Sequence, residues 1–201
     1  MHQQMTTNSK SITNEDIIQA WSAFSAPMIE AVGDEGDASR KYILNPTLDT
    51  LLGDVENISV LDAGSGTGYL CRMLAKRGAQ VTGVEPATAL FEYAVQREAT
   101  EQLGITYVQH DLSTLTGYDG VFDVVIANMV LMDIPDYQQA IKNCIAALRS
   151  GGTFILAILH PCFDEIDSPN FEQGYGAKGY LRIEEYFEEF VIKQTCGYAF
   201  H

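Results

Sequence analysis

Residues 60–68 read Val-Leu-Asp-Ala-Gly-Ser-Gly-Thr-Gly, an apolar run that passes straight into three glycines at alternate positions. A strand ending this way must turn where a Cβ would obstruct. Gly64, Gly66 and Gly68 therefore read as positions where the backbone bends sharply and lies open to a ligand. A helix is predicted from Tyr69, and the free N–H groups and positive dipole end of its first turn face the same space. Asp62, at the end of the strand, adds an acceptor. The best-known turn of this kind spaces its glycines G-x-G-x-x-G around a pyrophosphate. Here the spacing is G-x-G-x-G behind an aspartate, which would repel a pyrophosphate and suits a ligand that carries positive charge.

Four further apolar runs follow at regular intervals. Gln80–Pro86 ends in Glu85, where a carboxylate at a strand tip can accept both hydroxyls of a ribose; a solvated strand end is the alternative. Ile105–Leu112 ends in Asp111, which reads as a second polar strand tip or as an ordinary loop residue. Phe122–Met129 closes on Asn128, and Gly151–His160 starts at a glycine turn. Amphipathic segments at about 69–77, 88–103 and 136–149 separate these runs, so the chain is expected to form a parallel sheet from βαβ units. The last helix has Asp136 as N-cap with Gln139 three residues on, Arg149 in its final turn and Gly151 beyond. Ile141, Cys144, Ile145 and Leu148 are its expected core face. Ligand loops in such a sheet gather at the carboxyl ends of the strands, where Asp62, the glycines, Glu85, Asp111, Asn128 and His160 all lie.

In this order and spacing, residues 40–163 resemble the class I S-adenosylmethionine-dependent methyltransferases of the small-molecule type. The resemblance implies an α/β, Rossmann-like, doubly wound and mostly parallel sheet with helices on both faces. It implies S-adenosylmethionine as cofactor and S-adenosylhomocysteine as product. Asp62, Gly64, Ser65, Gly66 and Gly68 match the family's first motif, and Glu85 with Pro86 the second strand end. By the same resemblance Asp111 binds the adenine amine with Leu112 beside the ring, and Asn128 with Met129 faces the methionine portion. Family members often place an aromatic or basic residue from ahead of the first strand against that end, which makes Arg40 and Tyr42 candidates. The Asp/Asn-Pro-Pro-aromatic tetrad of the amino-adenine and amino-cytosine enzymes is replaced here by Asn128-Met-Val-Leu131. The acceptor atom, oxygen, nitrogen or carbon, stays open.

The reaction asks mainly for alignment of an acceptor with an activated methyl group. Oxygen and nitrogen acceptors also call for a base with a pKa near working pH. His160, past the fifth strand and followed by Pro161, is the expected catalytic residue; a histidine that fixes the turn is its rival. A lone cofactor-binding module without turnover, or an inactive truncated domain, is the second reading. A nicotinamide-dependent oxidoreductase is the third, with its glycine spacing missing.

Composition narrows the partners. A formal charge of −15, with 12 basic residues against 27 acidic ones, argues against a nucleic-acid acceptor. No apolar stretch of 18 residues suggests a membrane span, and Cys71, Cys144, Cys162 and Cys196 show no paired spacing for a metal. The cytoplasm is the default compartment. Residues 1–10 are expected to be a disordered tail and 11–201 a single domain. Within it, 11–47 form a lid region, 48–163 the cofactor-binding core and 164–201 a substrate cover or partial C-terminal extension. Ile17, Ile18, Trp21 and Phe24 share one helical face in the lid, as a cover or as packing anchors. The family's final antiparallel strand pair is expected to be missing, which would leave the fifth strand with an open edge and invite homo-oligomers.

Overall fold

The structure, a computed structural model, describes residues 12–24, 26–159, 191–194 and 197–200. Its centre is a five-stranded parallel sheet of β1 (Ser59–Ala63), β2 (Gln80–Val84), β3 (Thr106–Val108), β4 (Phe122–Asn128) and β5 (Leu148–Ala157), in the order β3-β2-β1-β4-β5. Strand order reverses between β2 and β4 on either side of β1. Such a switch point opens a crevice at the carboxyl end of β1. Helices α3 (Asn45–Leu52), α4 (Tyr69–Ala75), α5 (Thr88–Glu101) and α6 (Tyr137–Ala147) surround the sheet. Ahead of them lie α1 (Asn14–Ser22), α2 (Ala26–Val32) and a π-helical turn, Arg40–Leu44.

Alternation along each strand builds two cores. Val60 of β1 and Ile126 of β4 pack with Leu70 and Leu74 of α4 on one face. Leu61 and Ala63, with Val125 and Ala127, pack with Ala140 and Cys144 of α6 on the other. Val60, Leu61, Ala63, Val125, Ile126 and Ala127 are wholly buried, as expected of parallel strands covered on both sides. Cys71 and Cys144 are free and buried, serving as small apolar residues.

The predicted last helix ends early. It stops at Ala147, and 148–150 already belong to β5. Arg149 therefore sits in a strand, where Nη1 pairs with Asp123 Oδ1 at 2.7 Å and Nη2 donates to Ser59 Oγ at 2.9 Å. Leu148 packs from that strand, and Ile145 is 54% exposed rather than core. Asp136 makes no side-chain cap bond. The Asp123 carboxylate, the Ser59 hydroxyl and the Val121 carbonyl around Arg149, together with the ladder from Phe122 to Leu148, favour the strand over a last helical turn.

At the C-terminal side, β6 (Val191–Gln194) and β7 (Gly197–Phe200) form their own antiparallel pair, separate from the main sheet. β7 runs beside α1 and the 131–133 turn. Among the described residues β5 has no neighbour on its outer side, and Leu156 and Ile158 are exposed nearby. The expected tail at 1–10, Cys162, Cys196, His160 and most of the 164–201 cover lie outside the described residues. Among the described residues no helix is long and apolar enough to cross a membrane.

Candidate functional site

The turn after β1 is held open by its own chemistry. Gly64, Gly66 and Gly68 all have φ between 54° and 79°, a region costly for residues with a Cβ. At Gly64 a Cβ would stand 2.3 Å from Val130, and at Gly68 2.3 Å from the Tyr107 hydroxyl; at Gly66 it would meet open space. The first and last glycines thus let the turn pack, and the middle one lays bare backbone toward the cleft. Arg72, 1% exposed, donates from Nη1 to the Thr67 carbonyl at 2.7 Å. Asp34 and Glu101 lie 3.6 Å away to balance its charge. Replacing Gly68 with alanine is expected to destabilise the fold by roughly 2–4 kcal/mol from backbone strain and overpacking, read as a drop in urea midpoint at constant slope.

Glu85, just past β2, is the turn's second anchor. Its Oε2 accepts from the Gly66 amide and its Oε1 from the Ala87 amide, both at 2.8 Å. Burial pushes its carboxyl up to about 7 against the pull of those two amides. Asp111, past β3, accepts from the Ser113 amide at 2.8 Å through Oδ1 and from Asn14 at 3.0 Å through Oδ2. Asn128 closes β4, donating to the Tyr69 hydroxyl at 2.9 Å, while its Oδ1 is buried with no partner among the described residues. Met129 follows with φ 58° and its amide donating to Ala157, so the chain bends sharply at the strand end. Ser65 Oγ and Thr67 Oγ1 are also buried with no partner among the described residues. A buried polar atom left unpaired costs about 1–3 kcal/mol, and three of them line this one turn and strand end.

These elements frame one cleft, about 1010 Å³ of empty space including its open mouth. Gly64, Ser65, Gly66, Glu85, Pro86, Asp111, Leu112, Asn128, Met129 and Arg40, ten of the candidate cofactor residues, line it. Three expectations fall elsewhere. Asp62 is 2% exposed and lies beneath the turn, where the Cys71 thiol donates to its Oδ2 at 3.1 Å. Gly68 packs on Tyr107 and starts α4. Tyr42 is 71% exposed and does not line the cleft, because the π-helical turn that sends Arg40 inward sends the residue two positions on outward. His160 lies outside the described residues.

Burial raises the Asp62 carboxyl to about 6. A folded-state pKa above the unfolded value gives stability that is full below about 3.8 and is lost as pH rises toward 6. Asp62→Asn is expected to remove that slope, worth at most about 3 kcal/mol between pH 4 and pH 7. Urea unfolding of both proteins across this range checks it; parallel curves would mean the charge is not buried at a cost.

Other lining residues gave no motif signal. Ile17, Ile18, Trp21 and Phe24 of the first helical segment form an apolar wall, with Trp21 and Phe24 stacked at 4.7 Å. Their helical spacing was legible, but not which wall they form. Asn14, at the start of α1, lines the cleft too. So does Asp133, half-buried in the 131–133 turn, whose carboxylate takes no hydrogen bond or ion pair among the described residues. Burial lifts it to about 7, against the opposing charge of Arg40. Among the described residues no group of three or more His, Cys, Asp or Glu is arranged to hold a metal ion.

Comparison with known proteins adds an independent finding. Residues 61–156 match a methyltransferase domain family. The chain is 38% identical over 104 residues to a ubiquinone biosynthesis O-methyltransferase of Coxiella burnetii, covering 52% of this chain and 44% of that protein. It is 35% identical over 106 residues to one of Methylocella silvestris, covering 53% and 41%. The chain thus spans less than half the length of these two relatives. A crystal structure of an S-adenosylmethionine-dependent methyltransferase from Mesorhizobium loti superposes with a TM-score of 0.69 at 26% identity, covering 84% of this chain and 76% of that one.

Proposed function

We propose that this chain belongs to the class I S-adenosylmethionine-dependent methyltransferase family, a reading that its matches support, and that it transfers the methyl group of S-adenosylmethionine to a small-molecule acceptor and releases S-adenosylhomocysteine. One observation carries this reading: Glu85, Asp111 and Asn128 converge with the Gly64–Gly66 backbone on a single cleft. The residues present fit the cofactor. Open backbone at Gly66 and the unpartnered Ser65, Thr67 and Asn128 oxygens offer polar groups a partner would satisfy. Glu85 would take the ribose hydroxyls, Asp111 the adenine amine beside Leu112, and Arg40 with Asn128 and Met129 the methionine end. Asp62 would act from below, by holding the turn. When bound, S-adenosylmethionine supplies a methyl group already activated on a sulfonium.

The protein's task is then to hold an acceptor and keep water away. The apolar wall of Ile17, Ile18, Trp21 and Phe24 supports a flat or apolar acceptor, and fixed alignment can contribute about 7–11 kcal/mol to the barrier. The name shared by the curated relatives, O-methyltransferase, favours oxygen as the accepting atom. A hydroxyl acceptor must lose its proton, and two groups are proposed to take it: Asp133, in the cleft, and His160, from its place after the fifth strand in the sequence. The β6–β7 pair beside α1 supports a covering role for 164–201. Self-association through the open edge of β5 and a cytoplasmic location belong to the same reading.

The test is calorimetric titration of the folded protein with S-adenosylmethionine and S-adenosylhomocysteine. Micromolar binding of both is the expected result. A folded protein that binds neither would sink the reading.

A further inference from the structure

Asn14 lines the cleft and ties together three separate stretches of the chain. Its Nδ2 donates to Asp111 Oδ2 at 3.0 Å and to Ser113 Oγ at 2.7 Å. Its Oδ1 accepts from the Asp136 amide at 3.1 Å. Both amide hydrogens and the carbonyl are thus engaged, across 97 to 122 positions of sequence. The residue opens α1, whose capping box between Thr13 and Asp16 fixes its first turn. At the other end of α1, Ser22 Oγ accepts from the Thr88 amide at 3.0 Å. The helix is therefore staked at one end to the tip of β3 and the start of α6, and at the other to the start of α5.

The consequence for Asp111 is specific. Its Oδ1 is held by the Ser113 amide and its Oδ2 by Asn14. Among the described residues it forms no ion pair, so no cation competes for the carboxylate. Each carboxylate oxygen can accept two bonds, which leaves one on each for a ligand. The two neutral donors settle the carboxylate in one orientation, beside the cleft that Asp111, Leu112 and Asn14 line together. An aspartate held from one side only would turn freely about χ2, since that torsion is broad.

We propose that Asn14 is a specificity-determining residue: by holding Asp111 it makes the cleft select a purine that carries an exocyclic amine over one that carries a carbonyl there. This rests on the cofactor reading above. The selection has a physical source, because a site built to accept a hydrogen bond rejects a ligand that presents an acceptor instead. Asn14 touches Asp111 and acts through it.

The experiment compares S-adenosylhomocysteine with S-inosylhomocysteine, which has a carbonyl in place of the amine, by calorimetry on the full chain. The proteins are the wild type, Asn14→Ala, Asn14→Ser, Asp111→Ala and the Asn14→Ala/Asp111→Ala pair. The wild type is expected to prefer the adenosyl ligand. Asn14→Ala should lose about tenfold affinity for it, the equivalent of one hydrogen bond to a charged group, with much less change toward the inosyl ligand. The double variant should be no worse than Asp111→Ala, since coupled residues are not additive. Asn14→Ser keeps a donor and serves if the alanine variant does not fold. Trp21 is the only tryptophan, so its fluorescence reports whether α1 stays docked in each. Equal losses for both ligands, or additive losses in the double variant, would overturn the proposal and leave Asn14 a structural tie. A folded wild type that binds neither ligand would overturn the cofactor reading itself.

Discussion

Glu85→Ala is expected to weaken binding of S-adenosylhomocysteine by about 100-fold or more. The side chain has two tasks, and alanine removes both. Its carboxylate holds the Gly66 and Ala87 amides at 2.8 Å, and bonds of this charge-assisted kind contribute about 1.5–3 kcal/mol each. Without them the glycine turn loses the anchor that fixes its open face. The same carboxylate is the proposed acceptor for the ribose hydroxyls. Glu85→Gln separates the tasks: it keeps one acceptor and sets an NH₂ against a backbone amide, so an intermediate loss is expected. The pH dependence has a definite sign. Burial raises the carboxyl to about 7, while donors bind its ionised form better. Affinity in the wild type should therefore climb from pH 6 to pH 8, and Glu85→Gln should flatten the climb. Unchanged affinity in Glu85→Ala would leave this residue a strand-end cap and nothing more.

The features that reached the fold through sequence were those with a short-range physical signature. Apolar runs bounded by glycine or acidic tips became β1 to β5, because a parallel strand covered on both faces needs continuous apolar character. The glycine spacing identified the turn because positive φ is costly for any other residue there. Arg149 shows where this fails. On periodicity it completes a helix; in space Asp123 and Ser59 wait for it on β4 and β1, and only the folded sheet brings them there. Tyr42 and Arg40 differ by two positions, yet a π-helical turn decides which one faces the cleft, and no propensity rule foretells that turn. Asn14, Arg72 and Asp133 gave no signal at all. Each acquires meaning from partners, or from their absence, far away in the chain.

Placement of the acids also sorts their roles. Asp62, Glu85 and Asp133 all sit in surroundings that raise their carboxyls, but for different ends. Asp62 has a thiol for company and no view of the cleft, which suits support. Glu85 has two amides and faces the cleft, which suits binding. Asp133 faces the cleft and, among the described residues, has no donor at all. A carboxylate without a donor is the one left free to receive a proton.

Asp133→Asn is accordingly expected to lower turnover on a hydroxyl acceptor by about 10²- to 10⁴-fold, the usual contribution of a positioned base. Its affinity for S-adenosylhomocysteine should stay within about threefold of wild type, since the residue is assigned to the acceptor side. In the proposed transfer to a hydroxyl acceptor, bound S-adenosylmethionine would supply an activated methyl group and the acceptor's hydroxyl proton would pass to the Asp133 carboxylate. The proton can go there only when the carboxylate is ionised, which holds above about pH 7. The wild-type rate should therefore rise through pH 7 and level off, and the rising limb should vanish in the variant. Transfer of labelled methyl to a panel of phenols and alcohols, run from pH 6 to pH 9, measures both. The same panel with His160→Gln decides between the two proposed proton acceptors: a limb that survives Asp133→Asn and disappears with His160→Gln would move the role to the histidine.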